Sequence, residues 1–278
     1  MGIQIVPISV RFGDEEFLDG VEITHEEFYK RLAECDELPK TSQPSPDTFM
    51  KVFNEAVADG DDVLGIFISS DLSGTYQSAC LAASDVEDET GKKLYMVDSR
   101  SASIGTALLI REAVKLRDAG VNVSDIAAAC TEMSKYIKLT AVVGSLKYLK
   151  MGGRLSGAAA FAGTMLHITP VVSIEDGKVV VIGKTRGKKA AEKLMHDKLT
   201  KDGLSLTRDF MFGHINCSES LETFINKSLT YISDVNGNVG VSSIGCSVGT
   251  HVGPGTYGIA YVEAAESGMN RESIVKTA

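Results

Sequence analysis

A short apolar run, a serine-rich loop and a helical segment follow one another twice between residues 62 and 119. In the first unit DVLGIFI ends in SSDLSGT and continues into YQSACLAAS; in the second LYMVD ends in SRSAS and continues into IGTALLIREAVKLRDA. Parallel strands need a crossover connection, so strands that alternate with helices in this way predict a parallel sheet with helices packed on it. We therefore predict an α/β fold with a mostly parallel sheet in the N-terminal lobe.

Local signals fix several elements before this repeat. The alternating residues 3–12 predict a half-buried strand. Thr24 and Glu27 have the spacing of a capping box at the start of a helix. Ser45 followed by Pro46 predicts a second helix start, because serine caps the free N–H groups and proline fits the first helical position.

The pattern of residues along the sequence changes near Leu139. Residues 169–185 predict two strands joined by a tight turn at Asp176-Gly177, and strands and helices then alternate to the C-terminus. A chain of 278 residues exceeds what one small core usually serves. We predict an N-terminal α/β lobe over residues 1–138 and a C-terminal α/β lobe with a mixed sheet over residues 139–278.

Composition excludes some classes of function. The formal charge is −9, aromatic residues make up 6% and Trp is absent, which argues against a surface for nucleic acid. The five Cys residues are widely spaced, as expected of reduced, buried side chains. With no signal-like N-terminus and no apolar run long enough to span a membrane, we expect a soluble cytoplasmic protein without stable membrane insertion.

The five His residues show no spacing typical of a metal site, and no Cys pair lies near them. We therefore expect no metal and no cofactor, although ligands distant in sequence could still converge in space.

Two hydroxyl-rich loops are candidates for an anion site. In SSDLSGT the predicted strand delivers Ser73, Gly74 and Thr75 to a helix start, where free N–H groups, the helix dipole and hydroxyl donors coincide. TSQPSP places Thr41 and Ser42 ahead of another helix. Loops at the carboxyl ends of parallel strands meet at one edge of the sheet, so a shared anion site is possible. The alternative is that Ser73 only caps its helix and Thr41 only belongs to a turn.

Two basic side chains stand out further along the chain. His251 lies in the glycine-rich segment VGTHVGPG and could donate to an oxyanion, or it could be an ordinary packed imidazole. Arg186 belongs to the basic segment KTRGKKAAEK, which is either a solvated helix face or a docking surface for a partner protein.

Several segments together resemble the DegV family of bacterial lipid-binding proteins. They occur in the family's order along essentially the whole chain: TSQPSP, SSDLSGTYQSA, VDSRSASIG, YLKMGGRLSG, TRGKKA and HVGPGTYG. The resemblance implies the two-lobed DegV-like fold. It also implies that the chain is no enzyme itself but binds a long-chain fatty acid and presents it to a separate fatty acid kinase, which makes acyl phosphate.

The resemblance also assigns roles to residues. Thr41 and Ser73 match the family's hydroxyl ligands for the fatty acid carboxylate, and His251 matches the histidine of that site. Arg186 matches the position associated with kinase docking. Arg154 lies in a family motif without an assigned role.

Further site residues are expected on physical grounds. Gly74 and Thr75 are expected to contact the carboxylate at the helix start. The resemblance also implies a tail tunnel between the lobes, with four candidate lining residues that could equally be ordinary core: Phe161, Met165, Leu166 and Ile168. Members of the family usually begin with a strand that precedes the segment corresponding to Ile3, so we expect either that the start has been misassigned or trimmed or that the sheet of the N-terminal lobe lacks this strand.

Two other functions stay open at this level. Ser73 and His251 could be the nucleophile and base of an acyl-ester hydrolase, although no GxSxG motif surrounds Ser73. A lipid-sensing regulatory protein would have the same sequence features as a carrier.

Overall fold

A computed structural model describes residues 1–35, 37–157, 168–205, 207–232 and 236–264. The helices within these ranges are α1 (His25–Glu34), α2 (Pro46–Ala58), α3 (Thr75–Thr90), α4 (Ile104–Asp118), α5 (Val123–Met133), α6 (Lys147–Met151), α7 (Lys188–Asp202), α8 (Ser218–Ser228) and α9 (Cys246–Val252). The strands are β1 (Ser9–Phe12), β2 (Glu15–Leu18), β3 (Lys40–Ser42), β4 (Leu64–Phe67), β5 (Tyr95–Asp98), β6 (Ile137–Val142), β7 (Thr169–Glu175), β8 (Lys178–Thr185), β9 (Phe210–His214), β10 (Val239–Ser243) and β11 (Tyr257–Val262).

The strands form three sheets. β4 and β5 pair in parallel, as the repeated unit predicts, and the order in the six-stranded mixed sheet is β10-β9-β11-β6-β7-β8. β2, β1 and β3 form a separate antiparallel sheet. The α/β class with a mixed C-terminal sheet is confirmed. The N-terminal part of the chain also forms the antiparallel sheet: the sequence predicts β1, the turn at Gly13-Asp14 and β2, but not the addition of β3.

The strand predicted over residues 3–12 is shorter in the structure, because the pairing with β2 begins only at Ser9 and covers Ser9–Phe12. The predicted helix starts are confirmed: the hydroxyls of Thr24 and Ser45 accept from the N–H groups of Glu27 and Thr48. The lobe boundary predicted at residue 139 falls within β6 and stays a prediction.

The molecule is layered around α4. The apolar face of α4 packs in one core with β4, β5 and α5 on one side and with the six-stranded sheet on the other. α2 and α3 cover the opposite face of β4 and β5 through a core that contains Phe49, Phe53 and Val86. α7 and α8 cover the far face of the six-stranded sheet. The face of the six-stranded sheet that contacts α4 extends further than α4 covers. The loops that follow β4 and β5 pack against the remaining part of this face.

Candidate functional site

A cavity lies between the six-stranded sheet and the loops that follow β4 and β5. Its empty volume, including the part open to solvent, is about 1050 Å³. Successive side chains of a strand point to opposite faces of the sheet, and one face of β6, β7 and β11 forms the floor of the cavity. The residues on this face are Ala141 on β6, Val172 and Ile174 on β7, and Gly258 on β11. The neighbouring Thr140 and Ser173 face the other way.

The rest of the cavity wall comes from distant parts of the chain. Ile68 and Leu72 follow β4, Ala102 follows β5, and α6 and α9 contribute Leu149 and Val248. These side chains make the wall mainly apolar. Polar groups are confined to a few positions, which is the pattern expected of a site for an amphipathic ligand. They are Thr41, Gln43, Ser73, Ser103, Arg154, Ser247, His251 and Thr256.

Thr41 and His251 meet at this wall although 210 residues separate them. The hydroxyl of Thr41 lies 2.9 Å from Nε2 of His251, and both residues are partly buried. β3 holds Thr41 through its pairing with Val10 of β1, and α9 carries His251. The sequence expectation that both belong to one site is therefore consistent with their positions.

Burial keeps the His251 imidazole uncharged. The pKa of His251 is lowered to about 4, first because burial disfavours the charged ring and second because the guanidinium of Arg154 is near. Its Nδ1 atom is buried and has no hydrogen-bond partner among the residues that the structure describes. Near neutral pH this ring can donate only one hydrogen bond and adds no positive charge.

Ser73 lies in the same cavity wall, two residues before α3 begins. Its hydroxyl lies 2.8 Å from that of Thr75 and accepts from the N–H of Thr75 at 3.3 Å. The cap position of α3 is Gly74, which makes no side-chain cap bond. Ser73 is thus not the cap residue itself, and its hydroxyl borders the cavity.

Gly74 and Thr75 lie behind this wall and not in it. Within the described ranges, neither lines the cavity, and a Cβ atom at Gly74 would collide with the side chain of Gln43. Thr75 is buried at the first position of α3. Their predicted contact with a carboxylate stays a prediction.

Arg154 has a clear position. Its side chain borders the cavity and donates from Nε to the carbonyl of Leu72 at 3.2 Å and from Nη1 to that of Gly152 at 2.6 Å. Because a guanidinium is always charged, it supplies the positive charge that His251 lacks.

The tail-lining predictions have mixed outcomes. Phe161, Met165 and Leu166 lie outside the described residues. Ile168 is described and half-buried, directly before β7, but is not among the residues found around the cavity. Gln43 and Ser247 do border the cavity and were missed, because nothing in their local sequence distinguishes them.

Arg186 is exposed between β8 and α7, in a segment that also carries the exposed Lys188 and Lys189. Its position is compatible with protein docking. Its predicted role stays a prediction.

Three potential metal ligands converge elsewhere. Ligand atoms of Asp19, His25 and Cys246 lie within 4.8 Å of one another, which is the spatial convergence that sequence spacing could not exclude. The Asp19 carboxylate accepts from the N–H groups of Cys246 and Ser247 at 3.1 and 2.7 Å. Asp19 therefore already has a structural role at the start of α9, the helix that carries His251.

None of the helices in the described ranges has the length and apolar character needed to cross a bilayer.

Residues 1–264 match the model of a family described as uncharacterised protein, DegV family. A DegV domain-containing protein of Caldanaerobacter subterraneus subsp. tengcongensis is 34% identical over 266 residues, which cover 94% of this chain and 92% of the relative.

Two solved structures have the same fold. A fatty-acid-binding DegV family protein of Thermus thermophilus has a TM-score of 0.83 at 32% identity, covering 94% of this chain and 92% of that one. The fatty acid kinase B3 protein of Streptococcus pneumoniae, loaded with linoleic acid, has a TM-score of 0.81 at 22% identity, covering 93% and 90%. The second likeness establishes the fold alone.

Proposed function

The chain belongs to the DegV family, and from this premise we propose that it binds a long-chain fatty acid in the cavity and presents the carboxylate to a separate fatty acid kinase. The observation that carries the proposal is one apolar cavity bordered by hydroxyls at a few positions. The fatty acid bound by the Thermus thermophilus relative supports the same ligand class.

The energetics suit this ligand. Each buried methylene contributes roughly 0.8 kcal/mol, so a long acyl tail offers on the order of 10 kcal/mol before the costs of association. A buried carboxylate needs donors, because removing it from water unpaired is very costly. Thr41 and Ser73 carry hydroxyl groups at the cavity wall, the neutral His251 beside Thr41 has a single N–H, and Arg154 adds charge.

The chain would act as a carrier without catalysis of its own, and the kinase would form the acyl phosphate. Exposed Arg186, in its basic segment, is the proposed docking residue. The kinase partner is the one that the resemblance of the sequence motifs to the family implies. A cytoplasmic location would suit this role.

An acyl-ester hydrolase is less well supported. The His251 ring is hydrogen-bonded to Thr41, and Nδ1 has no partner in the described part of the chain. A hydrolytic triad needs the nucleophile on one ring nitrogen and an orienting carboxylate on the other. A lipid-sensing role would use the same cavity and would differ only in the event that binding triggers.

Organic extraction and mass spectrometry of the purified protein test the ligand. We expect a bound fatty acid, and a double variant Thr41→Ala with Ser73→Ala should bind it at least tenfold more weakly while remaining folded. Failure to bind any fatty acid across a range of chain lengths would refute the proposal. Ester hydrolysis that is lost in Ser73→Ala would favour the hydrolase.

Docking is tested by Arg186→Glu, with Lys51→Glu on α2 as a charge-matched control. We expect Arg186→Glu to retain fatty acid binding but to reduce phosphorylation by a cognate kinase severalfold. Equal phosphorylation of both variants would rule out docking at Arg186.

A further inference from the structure

We propose that Ser69 and the β7-β8 turn are positioning elements that hold the hydroxyl of Ser73 in place for the ligand carboxylate. The inference rests on the proposed function, because it concerns the same head-group site. It adds residues that do not touch the ligand in this arrangement and act through Ser73.

A buried hydrogen bond joins the two elements. The hydroxyl of Ser69 donates to the carbonyl of Gly177 at 2.8 Å, across 108 residues of sequence. Ser69 is completely buried, and Gly177 is buried as well. A buried bond of this kind matters, because the unpaired partner would otherwise lose its contact with water without compensation.

Ser69 is also tied directly to Ser73. The carbonyl of Ser69 accepts from the N–H groups of Leu72 and Ser73 at 3.0 and 3.1 Å. The hydroxyl of Ser69 accepts from the N–H of Asp71 at 3.3 Å. The segment from Ser69 to Ser73 is therefore one hydrogen-bonded turn, so a displacement of Ser69 moves Ser73 with it.

The turn that receives Ser69 is rigid. Asp176 and Gly177 both have positive φ angles, 48° and 79°, as a two-residue hairpin turn requires. A Cβ atom at Gly177 would lie 2.7 Å from Oγ of Ser69 and 3.1 Å from Oδ2 of Asp71. Glycine is thus needed here both for its backbone angle and for close approach.

Other contacts hold the same loop against the C-terminal sheet. Arg154 donates to the carbonyl of Leu72 at 3.2 Å. Lys178 lies 3.4 Å from Asp71, and Arg100 lies 3.1 Å from Asp176, but these pairs are largely exposed and contribute little. The N–H of Ser69 also donates to the carbonyl of Ser101 at 2.8 Å, which anchors the loop to the segment after β5. The Ser69–Gly177 bond is the buried side-chain contact that ties this loop to the β7-β8 turn, so its removal should loosen the loop on that side.

The exact position of the Ser73 hydroxyl affects binding of the ligand's head group more than binding of its tail. A hydroxyl donates well to a carboxylate only within a narrow range of distance and angle, whereas apolar burial is not directional. A loosened Ser73 should therefore weaken binding of a charged head group and leave the tail contribution almost unchanged.

The test compares two probes, hexadecanoic acid and 1-hexadecanol, on wild type and on Ser69→Ala. We expect Ser69→Ala to lower the affinity for the acid about fivefold to tenfold and that for the alcohol less than twofold. Isothermal titration measures both affinities, and thermal unfolding confirms that the variant is folded.

The matched control is Ser173→Ala. Ser173 lies on β7, on the face turned away from the cavity, and its hydroxyl is buried without a partner in the described ranges. Gly177→Ala disturbs the same contact from its other side, so it replaces Ser69→Ala if that variant does not fold. Gly177→Ala should also lower the affinity for hexadecanoic acid more than the affinity for 1-hexadecanol.

The outcomes are distinguishable. If wild type binds neither probe, the proposed function fails. If wild type binds the acid but the folded variants lose both probes equally, or neither, the positioning role is wrong.

Discussion

Ala141 lies on the floor of the cavity, where it would limit the room for the proposed acyl tail. It lies on β6 between its cross-strand partners Val172 and Gly258, and all three face the cavity. Ala141→Leu adds three carbon atoms on this face. At roughly 0.8 kcal/mol for each displaced methylene, a tail that fills the cavity should lose about 2.4 kcal/mol, or about sixtyfold in affinity.

Competition between hexadecanoic and dodecanoic acids, followed by native mass spectrometry, measures this change. We expect Ala141→Leu to lower the affinity ratio of the long acid to the short one, because the shorter tail can avoid the added side chain. Thr140→Val is the matched control. Thr140 is next to Ala141 on β6 but points to the face away from the cavity. Its hydroxyl is buried and has no partner in the described residues. An unchanged ratio in folded Ala141→Leu would refute this view of the cavity floor.

Two further predictions concern α9. In the folded state His251 has a pKa of about 4 and stays neutral, whereas in the unfolded chain it binds a proton near the ordinary pKa of 6.5. The contribution of His251 to the free energy of unfolding should therefore be fully present above pH 6.5. It should decrease by at most about 3 kcal/mol as the pH falls towards 4. Urea unfolding should show a shallower pH dependence for His251→Gln than for wild type, and equal slopes would contradict the assignment. Asp19→Ala should destabilise the protein by about 1–2 kcal/mol, because two N–H groups at the start of α9 lose their acceptor. Exposed Asp88 on α3 offers the control Asp88→Ala, and equal urea midpoints for the two variants would show that this carboxylate does not stabilise α9.

Local sequence was sufficient where a few neighbouring residues decide the structure. The Ser45-Pro46 helix start and the Asp176-Gly177 turn are such cases, because capping and positive φ angles depend on residues next to one another. The parallel pair β4-β5 follows for a related reason, since each strand leads directly into its own helix. The family resemblance then selected Thr41, Ser73 and His251 from many similar side chains.

Contacts between distant residues were beyond the sequence. The pairing of β3 with β1 depends on register, and the cavity floor depends on which face of β6 the tertiary fold leaves to the loops. No local pattern distinguishes Gln43 as a wall residue or Gly177 as the acceptor for Ser69. Their roles arise only when the two parts of the chain pack together.

The sequence by itself therefore determined the α/β class, the helix starts and the serine-rich loops, because neighbouring side chains and backbone angles control these features. The tertiary structure decided that Thr41 bonds to a neutral His251 and that Arg154 supplies the positive charge near them. The physical reason is that burial and through-space electrostatics set a group's charge and its partners, and neither can be calculated from distance along the chain.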